Sequence, residues 1–300
     1  MTDVRFQRRR FLQIAAGVPF VGLSAQAVSA APVARWQGVA LGADAQIILA
    51  GLEREAAAPL FAQVRDEIAR LEGIFSLYQP GSAVSQLNRS GRLFDPPAEL
   101  LELLSLSRSV WTASVGAFDP GVQPLWQAMA MGKAAPARTG DFGDVLFSEK
   151  KIELRAGQAL TLNGIAQGYI TDRVADLLRG QGLTDLVVDA GEQRAVGQRS
   201  GGGPWKVGIA APGGQLVAQL ALRDRALATS SPLGSLVAPG QGHIIDPRTG
   251  LSSSRWHTVS VTHDRAAVAD ALSTAACCLN EAEIDEMIRQ FPGAGLAYRA

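Results

Sequence analysis

One carboxylate interrupts a segment of small and apolar residues late in the sequence. Asp270 is the only acidic residue between positions 266 and 279, where alanine is the commonest residue. In a helix, Asp270 and Thr274 are four positions apart, so both side-chain oxygens project from the same face. A carboxylate, a hydroxyl, backbone carbonyls and a substrate phosphate together satisfy a hard cation such as Mg²⁺. The pattern is equally consistent with an exposed Asp270 on a half-buried helix, with the Thr274 hydroxyl bonded to the main chain.

A second group of reactive side chains lies at positions 243–250, which read His-Ile-Ile-Asp-Pro-Arg-Thr-Gly. His243 and Asp246 belong to the residue types that act as general acids and bases. The same residues fit a strand that runs into a β-turn capped by Asp246. The segment is therefore compatible with acid–base chemistry and with a purely structural role.

Two glycines, Gly164 and Gly168, flank the predicted start of a helix at positions 164–181. Free N–H groups and the helix dipole make such a start a favourable place for a phosphate. The spacing is too loose for a dinucleotide-binding fingerprint. A tight turn from strand to helix explains the glycines equally well.

Several other catalytic patterns are absent from the sequence. It contains no His-Glu-x-x-His and no Gly-x-Ser-x-Gly motif. The only cysteines, Cys277 and Cys278, are adjacent and rarely bridge in that arrangement. We expect them to be small hydrophobic residues of a buried helix, which excludes a disulfide framework and a cysteine-based zinc site.

Composition excludes further classes of protein. The chain has 300 residues, of which 47% are apolar and 19% charged, so it can bury a sizeable core and is not intrinsically disordered. Basic and acidic residues balance at 28 each, and this gives no reason to expect a nucleic-acid partner.

The first thirty residues have the pattern of an export signal. Arg8 and Arg9 begin a twin-arginine motif, residues 14–27 are uncharged and mostly apolar, and Ala30 ends a plausible cleavage site. We expect a signal peptide over residues 1–30, cleavage near Ala30 and a periplasmic mature protein. The alternative is a membrane anchor, but Pro19 interrupts an apolar run that is too short to span a bilayer. The mature chain is not expected to span the membrane.

The elements that must position these residues form an α+β pattern. Apolar residues at three- and four-residue steps from Leu60 to Phe75 predict a long helix, and further helices are predicted at 99–112, just after 119–121, and at 266–279. A hairpin is predicted to turn at 41–44. Short strands at 186–188, 205–209, 216–222 and 259–261 are spaced like an antiparallel meander. We predict one large domain over residues 31–300, an antiparallel sheet with packed helices.

These segments resemble, in order along the chain, the ApbE-type FAD:protein FMN transferases. The matching blocks are Phe-Ser-Leu-Tyr at 75–78, Ser-Gln-Leu-Asn at 85–88, Gly-Ala-Phe-Asp-Pro at 116–120, Pro-Leu-Trp at 124–126, residues 163–172, Ala-Thr-Ser at 228–230, residues 243–250 and residues 269–274. Collinear blocks are far more specific than any one of them alone.

The resemblance implies a fold, an activity and a set of site residues. It implies a T-fold-like domain that binds FAD with Mg²⁺ at the pyrophosphate, transfers FMN to a Ser or Thr hydroxyl of a partner flavoprotein through a phosphoester bond, and releases AMP. Carried over, the metal ligands are Asp270, Thr274 and the backbone carbonyl of Gly164, and the residues that receive the hydroxyl proton are His243 and Asp246. The residues implied at FAD are Leu41, Tyr78, Ala117, Phe118, Asp119, Thr161, Gln167, Ile245 and Ser273.

The sequence also departs from the family pattern. Leu41 stands where the family has Met, Thr161 where it has Asp, and Gln167 where it has Lys. The twin-arginine signal, the variant at 163–169 and the stretch 189–194 resemble the NosX branch, which is linked to nitrous oxide reductase maturation. The acceptor would then be the membrane-bound flavoprotein NosR. Two alternatives remain open at this point: an FAD pyrophosphatase that yields FMN and AMP, and a non-catalytic flavin-binding accessory protein.

Overall fold

The computed structural model describes residues 31–134 and 141–300. The predicted signal peptide, with Arg8 and Arg9, lies outside these residues. The described α-helices are α1 (Arg54–Phe75), α2 (Ala83–Ser90), α3 (Ala98–Ala113), α4 (Gln123–Ala130), α5 (Ala166–Gly180), α6 (Ala266–Ala276) and α7 (Glu281–Arg289). Short 3₁₀ helices cover Pro120–Val122, Phe142–Asp144 and Pro232–Gly234. The strands are β1 (Val33–Ala40), β2 (Ala43–Ala50), β3 (Arg92–Phe94), β4 (Leu146–Phe147), β5 (Lys151–Glu153), β6 (Leu186–Asp189), β7 (Gln193–Val196), β8 (Trp205–Ala210), β9 (Leu216–Leu222), β10 (Arg225–Ser230), β11 (Leu236–Ala238), β12 (Gln241–Gly242), β13 (Ile245–Asp246), β14 (Leu251–Ser252), β15 (Val259–His263) and β16 (Gly295–Arg299).

A seven-stranded antiparallel sheet is the framework of the protein. Its strand order is β1-β2-β6-β7-β10-β15-β16, so neighbours in the sheet follow one another along the chain and the remaining elements are inserted between them. The predicted hairpin is confirmed. Ala40 pairs with Ala43, and Leu41 and Gly42 make the turn with φ of 47° and 78°, as a two-residue hairpin turn requires.

Both faces of this sheet are covered, and adjacent residues divide between two cores. Ile47 and Val188 belong to the large core beneath the helices, whereas Ile48 and Val187 belong to a smaller core on the opposite face. This division follows from the alternation of side chains along a strand. The α+β class with an antiparallel sheet and packed helices is confirmed.

The smaller core lies beneath a separate hairpin, and here the predicted meander is wrong. Among the described strands, β8 and β9 pair only with each other, and Trp205, Val207 and Ile209 pack from β8 onto the second face of the sheet. Turn spacing could not separate the two arrangements, because a hairpin beside the sheet and a hairpin across its face have the same sequence pattern.

Helices α5 and α6 cross at unusually short distance on the opposite, helix-covered face. A Cβ atom built on Gly168 would lie 2.4 Å from the carbonyl oxygen of Ala266, so only glycine permits this crossing. Asp172 of α5 fixes the start of α6, because its carboxylate accepts the N–H groups of Ala266 and Ala267 at 2.9 and 3.0 Å. Burial raises the pKa of Asp172, and Arg194, 3.0 Å away, opposes that rise.

Helix boundaries agree with the predictions at α3 and α4 and differ elsewhere. Helix α1 ends at Phe75 as predicted but begins earlier, at Arg54. Helices α5 and α6 are shorter than predicted, α5 beginning at Ala166 and α6 ending at Ala276. The sequence analysis did not identify α2 or α7. Cys277 and Cys278 follow α6 and are buried and free, as expected of small core residues. Across residues 31–134 and 141–300, no helix has the length and apolar character needed to cross a bilayer.

Candidate active site

A cavity of about 280 Å³ lies where α6, the start of α5 and several loops meet. Its residues come from widely separated parts of the chain: the loop after α1, the turn before α4 and α4 itself, the segment before α5, the turn between β6 and β7, the end of β10 and the segment 243–247. The antiparallel sheet and the α5–α6 crossing therefore bring together residues of the segments 164–168, 243–250 and 269–274.

Asp270 is buried at the wall of this cavity. Its side chain is 3% exposed, so the alternative of an exposed Asp270 is wrong. One carboxylate oxygen, Oδ2, accepts the N–H of Gly168 at 3.0 Å. That N–H is one of the donors of the first turn of α5, which an α-helix leaves unpaired internally. Burying a carboxylate is costly unless it is paired, so this bond offsets part of the cost.

Thr274 lies one helical turn after Asp270 and lines the same cavity. Its hydroxyl Oγ1 is 3.5 Å from the carbonyl oxygen of Gly164 and 3.4 Å from the hydroxyl of Ser230. A Cβ on Gly164 would lie 3.0 Å from Thr274 Oγ1, so the glycine allows the close approach. The carboxylate, the hydroxyl and the carbonyl are all hard oxygen donors, the kind that Mg²⁺ prefers.

The donor set determines which ions would fit here. Within the described ranges there is no cluster of three or more His, Cys, Asp and Glu side chains that could hold a metal ion. A transition metal that prefers nitrogen or sulfur ligands therefore does not suit this cavity. A hard cation held by one carboxylate, neutral oxygens and a ligand phosphate does fit the residues present.

His243 lines the cavity with a defined orientation. Its Nδ1 lies 3.1 Å from the carbonyl oxygen of Pro232 and 3.2 Å from that of Ser235. Because carbonyl oxygens only accept hydrogen bonds, Nδ1 carries the proton in the neutral ring. Nε2 is then the nitrogen with a lone pair, as a general base needs.

Asp246, unlike His243, is not among the cavity-lining residues and forms its hydrogen bonds with Arg248. Its carboxylate accepts Nε and one terminal NH₂ group of Arg248 at 3.0 and 2.8 Å. The bond to Asp246 raises the pKa of Arg248. Arg248 also donates to the carbonyl oxygen of Cys278 at 2.7 Å, so the pair ties this turn to the chain that follows α6.

Most of the residues predicted at FAD line the cavity. These are Tyr78, Ala117, Phe118, Asp119, Thr161, Gln167 and Ile245. Tyr78 is 70% exposed and presents an aromatic face beside the opening, where a planar ring could stack. The carboxylate of Asp119 accepts the N–H groups of Gly121 and Phe142 at 2.6 and 3.3 Å, which fixes the turn before α4.

Leu41 and Ser273 are not among the cavity-lining residues. The backbone N–H of Leu41 donates to the Glu72 carboxylate at 2.7 Å in the β1–β2 turn. Ser273 is fully buried, and its hydroxyl lies 2.8 Å from that of Ser230. Ser273 therefore supports the β10–α6 contact beneath the cavity.

One acidic residue at the cavity was not predicted as a site residue. Glu192, in the turn between β6 and β7, is 4% exposed, and its carboxylate accepts the N–H of Thr229 at 2.9 Å. Its only signal in the sequence is a Gly-Glu pair between two short apolar runs, a pattern that ordinary turns share.

Fold and cavity together define an α+β protein with a cavity lined by both apolar side chains and oxygen donors. The sequence profile of the ApbE family matches residues 41–297, and this chain belongs to that family. The protein named FAD:protein FMN transferase from Salmonella typhimurium is 23% identical over 300 residues, covering 88% of this chain and 84% of that protein. One of the same name from Treponema pallidum is 32% identical over 158 residues, covering 46% of this chain and 43% of that protein.

Solved structures show the same fold. The apo form of the flavinyl transferase ApbE from Pseudomonas stutzeri superimposes with a TM-score of 0.75 at 23% identity, covering 88% of this chain and 90% of that one. The ApbE protein from Thermotoga maritima gives a TM-score of 0.77 at 24% identity, covering 88% and 93%. The family inferred from the sequence blocks is confirmed.

Proposed function

We propose that this protein is a Mg²⁺-dependent FAD:protein FMN transferase that acts on a flavoprotein of a periplasmic respiratory system. The observation that carries the proposal is the meeting of Asp270, Thr274 and Gly164 with His243 at one cavity. Relatives bearing the name FAD:protein FMN transferase support the same reaction. The AMP-releasing chemistry needs a cation site and a proton acceptor together, and this cavity offers candidates for both.

The residues at the cavity have different proposed roles in the reaction. Asp270, Thr274 and the Gly164 carbonyl would hold Mg²⁺, which, when bound, neutralises charge developing on the pyrophosphate. His243 Nε2 takes the proton of the acceptor hydroxyl as its oxygen bonds to the FMN phosphorus. The bond from that phosphorus to the bridging oxygen breaks, and AMP leaves with the oxygen. Tyr78 and Phe118, which both line the cavity, would contact the rings of FAD.

The proposal also specifies the cellular location of the protein and its acceptor. A twin-arginine signal at Arg8 and Arg9 would place the mature protein in the periplasm. The resemblance to the NosX branch makes the flavin-carrying domain of NosR the acceptor that we propose. The protein would then take part in the maturation of nitrous oxide reductase.

The reaction is tested with FAD, Mg²⁺ and the flavin-carrying domain of NosR. We expect a covalent FMN adduct by mass spectrometry and one AMP released per flavin attached. Replacing the acceptor threonine by valine removes the nucleophile at nearly constant volume and should abolish transfer. His243→Ala should lower transfer about 10²–10⁴-fold, the usual contribution of a general base.

Other outcomes point to other functions. AMP release at the same rate with the valine acceptor, or with no acceptor, would identify water as the nucleophile and the protein as an FAD pyrophosphatase. Retention of FAD without AMP release when Mg²⁺ is added would identify a non-catalytic flavin-binding protein.

A further inference from the structure

The side chains that line the candidate active site bring negative charge to it. Among the lining residues of the described chain, three are acidic and none is lysine or arginine. The acidic residues are Asp119, Glu192 and Asp270, and each carboxylate accepts at least one backbone N–H. His243, in the neutral form that a general base needs, adds no charge. An anionic ligand therefore enters a cavity whose own charge repels it.

The start of α5 supplies little positive potential to compensate. The first N–H groups of a helix and its dipole generally favour an anion. Here the N–H of Ala166 donates to the carbonyl oxygen of Leu162 at 2.8 Å, and that of Gly168 donates to the Asp270 carboxylate at 3.0 Å. Asp270 thus receives a donor that a ligand phosphate could otherwise use, and its negative charge offsets the positive end of the dipole.

Three arginines lie within a few positions of cavity-lining residues but pair with acidic side chains outside the cavity. The pairs are Arg194–Asp172 at 3.0 Å, Arg248–Asp246 at 2.8 Å and Arg265–Glu102 at 3.0 Å. None of these six residues lines the cavity. The described chain therefore brings no lysine or arginine to the proposed pyrophosphate site, and the cation proposed at Asp270 and Thr274 would be the positive charge there.

Gln167 lies in the first turn of α5, beside the residues of the proposed metal site. It follows Gly164 by three positions, and the next residue, Gly168, is bonded to Asp270. Its side chain is 6% exposed, lines the cavity and packs against Gly191, where a built Cβ would lie 2.8 Å from Gln167 Cδ. The side chain is thus closely packed at the cavity wall, and its amide carries no net charge.

We infer that Gln167 makes the binding of FAD conditional on the divalent cation. A lysine at this position would supply a fixed positive charge for the pyrophosphate, whereas the amide leaves that charge to the bound ion. Without the ion, the pyrophosphate faces the carboxylates alone. The cation and FAD therefore bind cooperatively, each raising the affinity of the other by the same factor. This inference rests on the proposed function, but its test is a binding measurement that needs no acceptor.

A charge series at position 167 tests the inference through the Kd for FAD, measured by calorimetry with Mg²⁺ and with EDTA. We expect the native protein to bind FAD at least about 10²-fold more tightly with Mg²⁺. Gln167→Lys should reduce that ratio about tenfold by tightening the binding in EDTA, and Gln167→Glu, which keeps the size, should raise it about tenfold. One unit charge in a partly screened site has an effect of this order. Because the two substitutions act in opposite directions, either folded variant alone decides the question.

Gln181→Lys is the matched control for the charge series. It makes the same chemical change at the far end of α5, on an exposed residue that does not line the cavity. At the rise of an α-helix the two positions are about 21 Å apart. This separation exceeds the Debye length of about 8 Å at physiological ionic strength. The control should therefore have the same ratio of Kd values as the native protein.

Salt provides a test that needs no substitution. In EDTA, NaCl should tighten the binding of FAD to the native protein because it screens the repulsion, whereas it would weaken attraction to a cationic side chain. Equal affinity with Mg²⁺ and with EDTA, or a ratio that the charge series leaves unchanged, overturns the inference, and FMN transfer by the same protein would leave the proposed function standing. A charge-dependent ratio in a protein that forms no FMN adduct upholds the inference and overturns the proposed function. Absence of FAD binding under both conditions overturns both.

Discussion

At the scale of single residues, the carboxylate of Asp270 is the group on which the proposed metal site depends most. It is the only acidic side chain of α6, it is 3% exposed, and one of its oxygens is already bonded to Gly168. Asp270→Asn keeps the size of the side chain and removes the charge that a hard cation needs. We expect FMN transfer at limiting Mg²⁺ to fall by at least about 10²-fold, while circular dichroism shows a folded protein.

Thr274 offers a matched pair of variants for the same site. Thr274→Val keeps the shape and removes the hydroxyl, and we expect a loss of about tenfold at limiting Mg²⁺. Thr274→Ser keeps the hydroxyl and should retain most of the rate. Wild-type transfer by Asp270→Asn at limiting Mg²⁺, or equal losses in the two Thr274 variants, would contradict the metal assignment while leaving the family membership intact.

The residues that could be predicted from the sequence are those whose chemical type differs from that of their neighbours. The lone carboxylate of Asp270 in a small, apolar helix is such a case, although the sequence alone also allowed an exposed Asp270 and the structure was needed to show its burial. The sequence could not show that Asp246 and His243 have different surroundings. The hydrogen bonds between Asp246 and Arg248 depend on how the turn folds.

At the scale of elements, the α5–α6 crossing holds the proposed metal ligands in place. Gly164 lies just before α5, whereas Asp270 and Thr274 lie on α6. Any change in the angle or distance at the crossing therefore moves the Gly164 carbonyl relative to the side chains of Asp270 and Thr274. Gly168→Ala would force a Cβ to 2.4 Å from the Ala266 carbonyl, a backbone atom that cannot rotate away. Overpacking of this kind costs about 1–3 kcal/mol in the free energy of unfolding. Urea denaturation should show this loss, and Mg²⁺-dependent transfer should fall with it.

Gly180→Ala is the matched control for that prediction. Gly180 lies at the other end of α5, and no atom lies within 4 Å of its built Cβ. Alanine favours a helix over glycine, so this variant should be unchanged or more stable by up to about 1 kcal/mol. Equal destabilisation of both variants would mean that the close contact at the α5–α6 crossing is not the cause of the loss.

The elements that the sequence predicted are those with a long periodic pattern. α1 repeats its apolar face over several turns, and this periodicity locates it without knowledge of the rest. Helix α7 is short, but it carries a capping box formed by Asn280 and Glu283, a local signal that was present in the sequence. The placement of β8 and β9 across the sheet was beyond prediction, because it is decided by which face Trp205 covers and not by any local pattern.

At the scale of the whole molecule, the proposed export of the protein depends on the charged N-terminal segment. We propose that the export machinery recognises the guanidinium groups of Arg8 and Arg9, and replacing both residues by Lys keeps the charge but removes those groups. We expect the double variant to stay in the cytoplasm with its signal uncleaved, as judged by fractionation and intact mass. A Lys substitution at Arg5, outside the pair, should export normally. Normal periplasmic recovery of the double variant would show that another route carries the protein.

The residues that line the candidate active site extend along the chain from Leu77 to Thr274. The site can therefore form only after most of the chain has been synthesised. A chain emerging from the ribosome can pair β1 with β2 early, but it cannot form the cavity until α6 has docked late in synthesis. Any ligand of the cavity thus binds only the completed fold, and at a hundred times its Kd it adds about 2.7 kcal/mol to the free energy of unfolding. If the protein is exported by the proposed twin-arginine route, which accepts folded proteins, FAD bound in the cytoplasm would distinguish completed molecules from partly synthesised ones before export.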